Sequence, residues 1–95
     1  MIPDALIFYK SSAAEAIDFL ESNKVDLIIL DLNLPDMTGW EFTEFLKEKI
    51  VDSKIILVSG SVSTEDFEKA KNDRFIHAIY EKPIRESELR EILGV

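Results

Sequence analysis

The sequence predicts an α/β domain built on a doubly wound parallel sheet, and three observations predict it. Short apolar, β-branched runs alternate along the chain with stretches of helical periodicity. No hairpin signal separates successive runs. Three of the runs end on residues able to do chemistry, Asp31, Ser59 and Lys82. In open α/β sheets the carboxyl ends of parallel strands are where sites are built.

The elements follow in order. Ala5-Leu6-Ile7-Phe8-Tyr9 reads as a short strand. Ser12 and Glu15 have the spacing of a capping box, and Ala13 to Ser22 reads as a helix with Ala16, Ile17 and Leu20 on one face. Val25 to Asp31 is nearly unbroken apolar sequence, as in a strand buried on both faces, and Pro35 then blocks pairing and begins a loop. Thr38 and Glu41 form another capping-box pattern, ahead of a helix from Gly39 to about Lys49 that carries Trp40, Phe42, Phe45 and Leu46. Lys54 to Ser59 is the third apolar strand. Ser63 or Thr64 can cap a helix to about Asp73, with Phe67 and Ala70 turned inward. Ile76 to Tyr80 is a weaker strand, and Arg85 to Leu93 a last helix with Leu89, Ile92 and Leu93 as its stripe. Four strands in parallel, joined by right-handed crossovers, are expected. Repeats, low-complexity tracts and linkers are lacking, so residues 1–95 read as one domain.

Composition narrows the function. Nineteen acids against eleven bases give a net charge of −8. That balance argues against nucleic acid, whose phosphates call for clustered Lys and Arg, and against an anionic membrane surface. Cysteine is absent, which excludes a disulfide framework and a thiolate metal site and fits a cytoplasmic protein. The sequence contains no apolar run of membrane-spanning length and no signal-peptide pattern. His77, the one histidine, lies mid-strand, where packing or solvent exposure is a better account than catalysis.

Each chemical residue has a bland explanation when taken alone. Asp31 reads as a turn cap, Ser59-Gly60-Ser61 as a turn, and Lys82-Pro83 as a solvated strand end. Together, on one edge of a parallel sheet, a carboxylate, a hydroxyl and an ammonium suit a phosphoryl group in transfer.

At this point the chain resembles the receiver domain of two-component response regulators, which has the flavodoxin-like (CheY-like) fold. The resemblance rests on Asp26-Leu27-Ile28-Ile29-Leu30-Asp31 with Asn33, Pro35 and Gly39, on Ile55-Ile56-Leu57-Val58-Ser59-Gly60, and on Glu81-Lys82-Pro83-Ile84. It runs from about Ala5 to the C-terminus. The resemblance implies that Asp31 is the phosphoacceptor, Ser59 the switch hydroxyl and Lys82 the lysine that pairs with phosphoryl oxygen. It also implies Mg²⁺, with Asp31 and the Asn33 carbonyl as ligands, and a Lys82–Pro83 bond that in the family is often cis.

Two departures accompany the resemblance. The family opens with a strand ending in two acids that hold Mg²⁺, followed by a helix, whereas the first strand here aligns with the family's second. Asp4 lies at the wrong end of its strand to replace those acids, while Asp36 follows Asp31 in the loop and is placed to approach the site. Mg²⁺ binding and phosphorylation by small donors are therefore expected to be weak, because Mg²⁺ favours an oxygen-rich octahedron containing carboxylates. Exposed apolar sheet surface and unpaired edges are expected to favour a homodimer or swapped oligomer. A natural protein longer by about 25 residues, the size of a strand-loop-helix unit, is the competing expectation. The second departure is Ile79, which stands where the family has its aromatic switch; alternation sends Tyr80 to the opposite sheet face.

The first functional reading is thus a receiver that accepts a phosphoryl group on Asp31 from a histidine kinase or phosphotransfer protein and signals through protein contacts, not an enzyme. The alternative is a degenerate or truncated pseudo-receiver that acts as a phosphorylation-independent interaction or dimerisation module. A flavodoxin-like cofactor binder fits poorly, because three glycines leave no glycine-rich phosphate cradle.

Overall fold

The structure is a computed structural model of the chain, and it describes residues 8–49 and 53–94. The elements run α1 (Ala13–Ser22), β1 (Leu27–Asp31), α2 (Gly39–Glu48), β2 (Lys54–Ser59), α3 (Thr64–Lys71), β3 (Ile76–Glu81) and α4 (Glu86–Leu93). The three strands form one sheet in the order β1-β2-β3, and both pairings are parallel. This is the expected α/β architecture, with the last three predicted strands running as predicted. Most of the expected Ala5–Tyr9 strand lies outside the described residues, and Phe8 and Tyr9 belong to no strand.

Local sequence accounts for where the helices start. Thr38 and Ser63 cap α2 and α3 through reciprocal boxes with Glu41 and Asp66. At α1 the expected reciprocal box is only half made. Ser12 accepts the Glu15 N–H, but the Glu15 carboxylate accepts the Ser11 N–H at 3.1 Å instead of reaching back to Ser12. A carboxylate from elsewhere completes the cap, since Asp36 accepts the N–H groups of Ala13 and Ala14, both at 3.0 Å. Gly94 closes α4 at φ +72°, the left-handed conformation that suits glycine.

Strand alternation divides the core between the two faces of the sheet. On one face, Ile28, Leu30, Ile55, Leu57 and Ile79 pack with residues of α1, α2 and α3, among them Ile17, Phe42, Leu46 and Ala70. On the other, Leu27, Ile56, Val58, Ala78 and Tyr80 meet Ile92 and Leu93 of α4. Ile79 and Tyr80 therefore do face opposite ways. A register shift between Ile55 and Ile56 passes over His77, which is exposed. The inward placement expected of Phe67 does not occur, as its side chain is 51 % exposed. Ala70, one turn further along the same face of α3, is buried, while the ring of Phe67 remains largely in solvent. Among the described residues, no helix is long and apolar enough to cross a membrane.

Candidate functional site

Parallel pairing brings the three strand ends together. The register sets Asp31 beside Val58 and Ser59 beside Glu81, with Lys82 one residue further on. Two backbone bonds tie the edge: Leu32 N–H donates to Val58 O at 2.9 Å, and Lys82 N–H to Ser59 O at 2.8 Å.

Asp31 closes β1 and is half-buried. Its Oδ1 accepts the Asn33 N–H at 2.9 Å, and its Oδ2 accepts a hydrogen bond from Lys82 Nζ. Burial on its own pushes the Asp31 carboxyl upward, but the Lys82 and Asn33 hydrogen bonds and the Lys82 charge outweigh it and hold the group below the ordinary carboxylate range. Asp31 is therefore an anion at neutral pH, as an attacking carboxylate must be. The predicted proximity of Lys82 to Asp31 is what the geometry contains, and the Lys82–Pro83 bond is cis.

Close packing locates Asp31. A Cβ on Gly39 would lie 2.8 Å from Asp31 O and 2.7 Å from Leu32 Cα, so only glycine lets the start of α2 approach the strand end. Gly39 N–H donates to Leu32 O at 2.8 Å, and Asn33 and Thr38 form a bridge across the intervening loop.

Ser59 is 3 % exposed, and its hydroxyl is held by the turn that follows. Oγ donates to Ser61 O at 3.0 Å and accepts the Ser61 N–H at 3.3 Å. It thus belongs to the same strand edge as Asp31 but is engaged with its own loop. Asp36, placed by its sequence position to approach the site, instead caps α1, and those two backbone N–H groups keep its carboxyl low. Sequence reasoning missed that capping role, and it missed Glu81, whose carboxylate accepts the Val62 N–H at 3.1 Å. Both are pairings of residues roughly twenty apart in sequence, which local patterns do not encode.

A divalent cation needs several oxygen donors converging on one point. Asp31 and Asn33 adjoin one another, but both Asp31 oxygens are engaged, and among the described residues no three His, Cys, Asp or Glu side chains gather as a metal site would need. The described residues do not fit Mg²⁺ by themselves.

Comparison with known proteins adds to this geometry. A family model described as the response regulator receiver domain matches residues 7–94. The nitrate/nitrite response regulator protein NarL of Escherichia coli (strain K12) is 40 % identical over 67 residues, covering 70 % of this chain and 31 % of NarL. The cell cycle response regulator CtrA of Brucella ovis is 42 % identical over 52 residues, covering 55 % of this chain and 22 % of CtrA. The chain thus spans less than a third of these relatives' length. Among solved structures, a signal receiver domain from Vibrio parahaemolyticus superposes with a TM-score of 0.83 at 28 % identity, covering 92 % of this chain and 66 % of that one. A CheY-like receiver domain from Methylobacillus flagellatus gives a TM-score of 0.74 at 28 % identity, covering 92 % and 73 %.

Proposed function

This chain belongs to the response regulator receiver domain family, and from that premise we propose that it accepts a phosphoryl group on Asp31 and passes the signal on through protein contacts. The donor is the phosphohistidine of a sensor histidine kinase or phosphotransfer protein, and residues 1–95 act as a single receiver unit. The observation that supports this reading is the meeting of Asp31 and Lys82 beside Ser59 on three parallel strand ends. In the transfer, an Asp31 carboxylate oxygen forms a bond to phosphorus while the phosphorus–nitrogen bond of the donor imidazole breaks. The electron pair of that bond goes to the imidazole nitrogen, which takes a proton from solvent. Lys82 offsets charge on the phosphoryl oxygens. Ser59 contributes its hydroxyl once that group leaves Ser61.

Receiver domains as a family work with a divalent cation, and the poor fit of the described residues to one favours a second reading. In that reading the chain is a pseudo-receiver, keeping the fold as a phosphorylation-independent interaction or dimerisation module. Labelling in Mg²⁺ buffer from a phosphohistidine phosphotransfer protein and from acetyl phosphate, each run beside Asp31→Asn, separates the two. Label that is lost in Asp31→Asn upholds phosphoryl acceptance; a folded chain that takes no label upholds the interaction module.

A further inference from the structure

The loop after β2 is held from two sides. From within, the Ser59 hydroxyl grips both the N–H and the carbonyl of Ser61. From outside, Glu81 takes the N–H of the next residue, Val62, across nineteen positions of sequence. The backbone of Ser59 is itself fixed, because Lys82 N–H donates to its carbonyl. A change at Ser59 is therefore a rotation of Oγ, which gives up both bonds to Ser61 and so removes one of the two restraints on the loop from Gly60 onward. There is space for the loop to move, as a Cβ built on Gly60 would meet nothing within 4 Å. The first restraint is the Ser59–Ser61 pair, and the second is Glu81.

We propose that Glu81 is a positioning residue that latches the Gly60–Val62 loop in the arrangement holding the Ser59 hydroxyl on Ser61. In doing so it sets how readily that hydroxyl is released toward Asp31. This regulation rests on reading Asp31 as phosphoacceptor and Ser59 as its hydroxyl partner; the latch itself is a property of the unphosphorylated chain. Glu81 precedes Lys82 directly, so one β3 terminus supplies both the cation for Asp31 and the clasp on the Ser59 loop. An equilibrium between two loop arrangements shifts by the interaction that only one of them makes. Loss of one exposed hydrogen bond to a carboxylate is a change of about fivefold.

The experiment uses the full chain, wild type beside Glu81→Gln, Glu81→Ala and Ser59→Ala. Its first arm is NMR of the unphosphorylated proteins, reading amide hydrogen exchange at Ser61 and Val62 and the Ser59 χ1 populations from three-bond couplings. In Glu81→Ala, exchange at both amides is expected to rise about fivefold, with Ser59 spreading over additional rotamers. Glu81→Gln, which keeps an oxygen acceptor, is expected to fall between Ala and wild type. Amides and rotamers unchanged in Glu81→Ala would overturn the latch. The second arm follows decay of label placed on Asp31 by a phosphohistidine phosphotransfer protein or by acetyl phosphate. Glu81→Ala is expected to lengthen the lifetime of the phosphorylated form severalfold in the wild-type background and to leave it unchanged in Ser59→Ala. A lengthening of equal size in both backgrounds would overturn the link between latch and hydroxyl. If no protein takes label at Asp31, phosphoryl acceptance fails, and the first arm still decides the latch.

Discussion

The two faces of the sheet are built to different standards. One is covered by α1, α2 and α3, and it encloses Phe42, Leu46 and Leu57 at 2 % exposure or less. The other meets α4 alone among the described elements, and Ile29, which points that way from β1, is 44 % exposed. The difference does not come from the strands, whose sequences are equally apolar on both faces. It comes from how much helix lies over each. Burial is thus set by the whole arrangement, while apolar pattern marks only which residues are able to be buried.

The sharpest test of that contrast is truncation on the three-helix face. Leu46→Ala is expected to destabilise the fold by about 3 kcal/mol, and Phe42→Ala by slightly more, read from the denaturant midpoint. Ile92→Ala removes the one α4 side chain buried in the second cluster and is expected to cost about 2 kcal/mol, since a thinner layer collapses more easily into the gap. If Ile92→Ala costs as much as Leu46→Ala, the contrast between the faces is broken.

Gly39→Ala comes next, at about 1–3 kcal/mol, because the methyl group meets backbone atoms that cannot rotate away. It is also expected to shift the Asp31 and Leu32 amide resonances while leaving those of α4 in place. Lys82→Met is smaller in stability, within about 1 kcal/mol for a partly exposed ion pair. Its clearer effect is on ionisation. With the Lys82 hydrogen bond and charge gone, burial acts against the Asn33 bond alone, and the Asp31 carboxyl is expected to titrate at higher pH in carbon-detected NMR. Asp31, Asp66 and Asp73 all have folded carboxyls lower than their ordinary values. Their contribution to stability is therefore complete above about pH 4 and is lost as pH falls through the depressed folded values. The least effect is expected from Ile29→Thr and Phe67→Ala, each within about 0.5 kcal/mol in urea titrations, because neither side chain is enclosed.

Most of the fold was legible in the sequence where the signal was local. Thr38 with Glu41 marked the start of α2, and the run from Lys54 to Ser59 marked β2 to the residue. The edge carrying Asp31, Ser59 and Lys82 was legible because parallel strands put their carboxyl ends side by side. What escaped depended on distance in sequence or on what packs beside a side chain. Glu15 was read as the partner of Ser12, yet the cap of α1 is shared with Asp36 from a loop beyond β1. Phe67 shares a helix face with Ala70, but only the small residue is enclosed; how far the larger ring is covered depends on its neighbours, which helical spacing does not record. The state of the Ser59 hydroxyl, turned to Ser61, follows from a side-chain rotation that no residue pattern records.

The tight seating of Gly39 against Asp31 makes the site mechanically lopsided. On the side of α2, strand end and helix are in backbone contact, with no space between them for either to move into. On the side of β2 and β3, the Gly60 turn has open space and is restrained by a few exchangeable hydrogen bonds. Added negative charge on Asp31 would draw cations and hydroxyl donors toward it, and the groups of that kind, Lys82 and Ser59, lie on the side that can yield. Displacement would therefore fall on the Ser59 turn and α3, with α2 serving as the anchor.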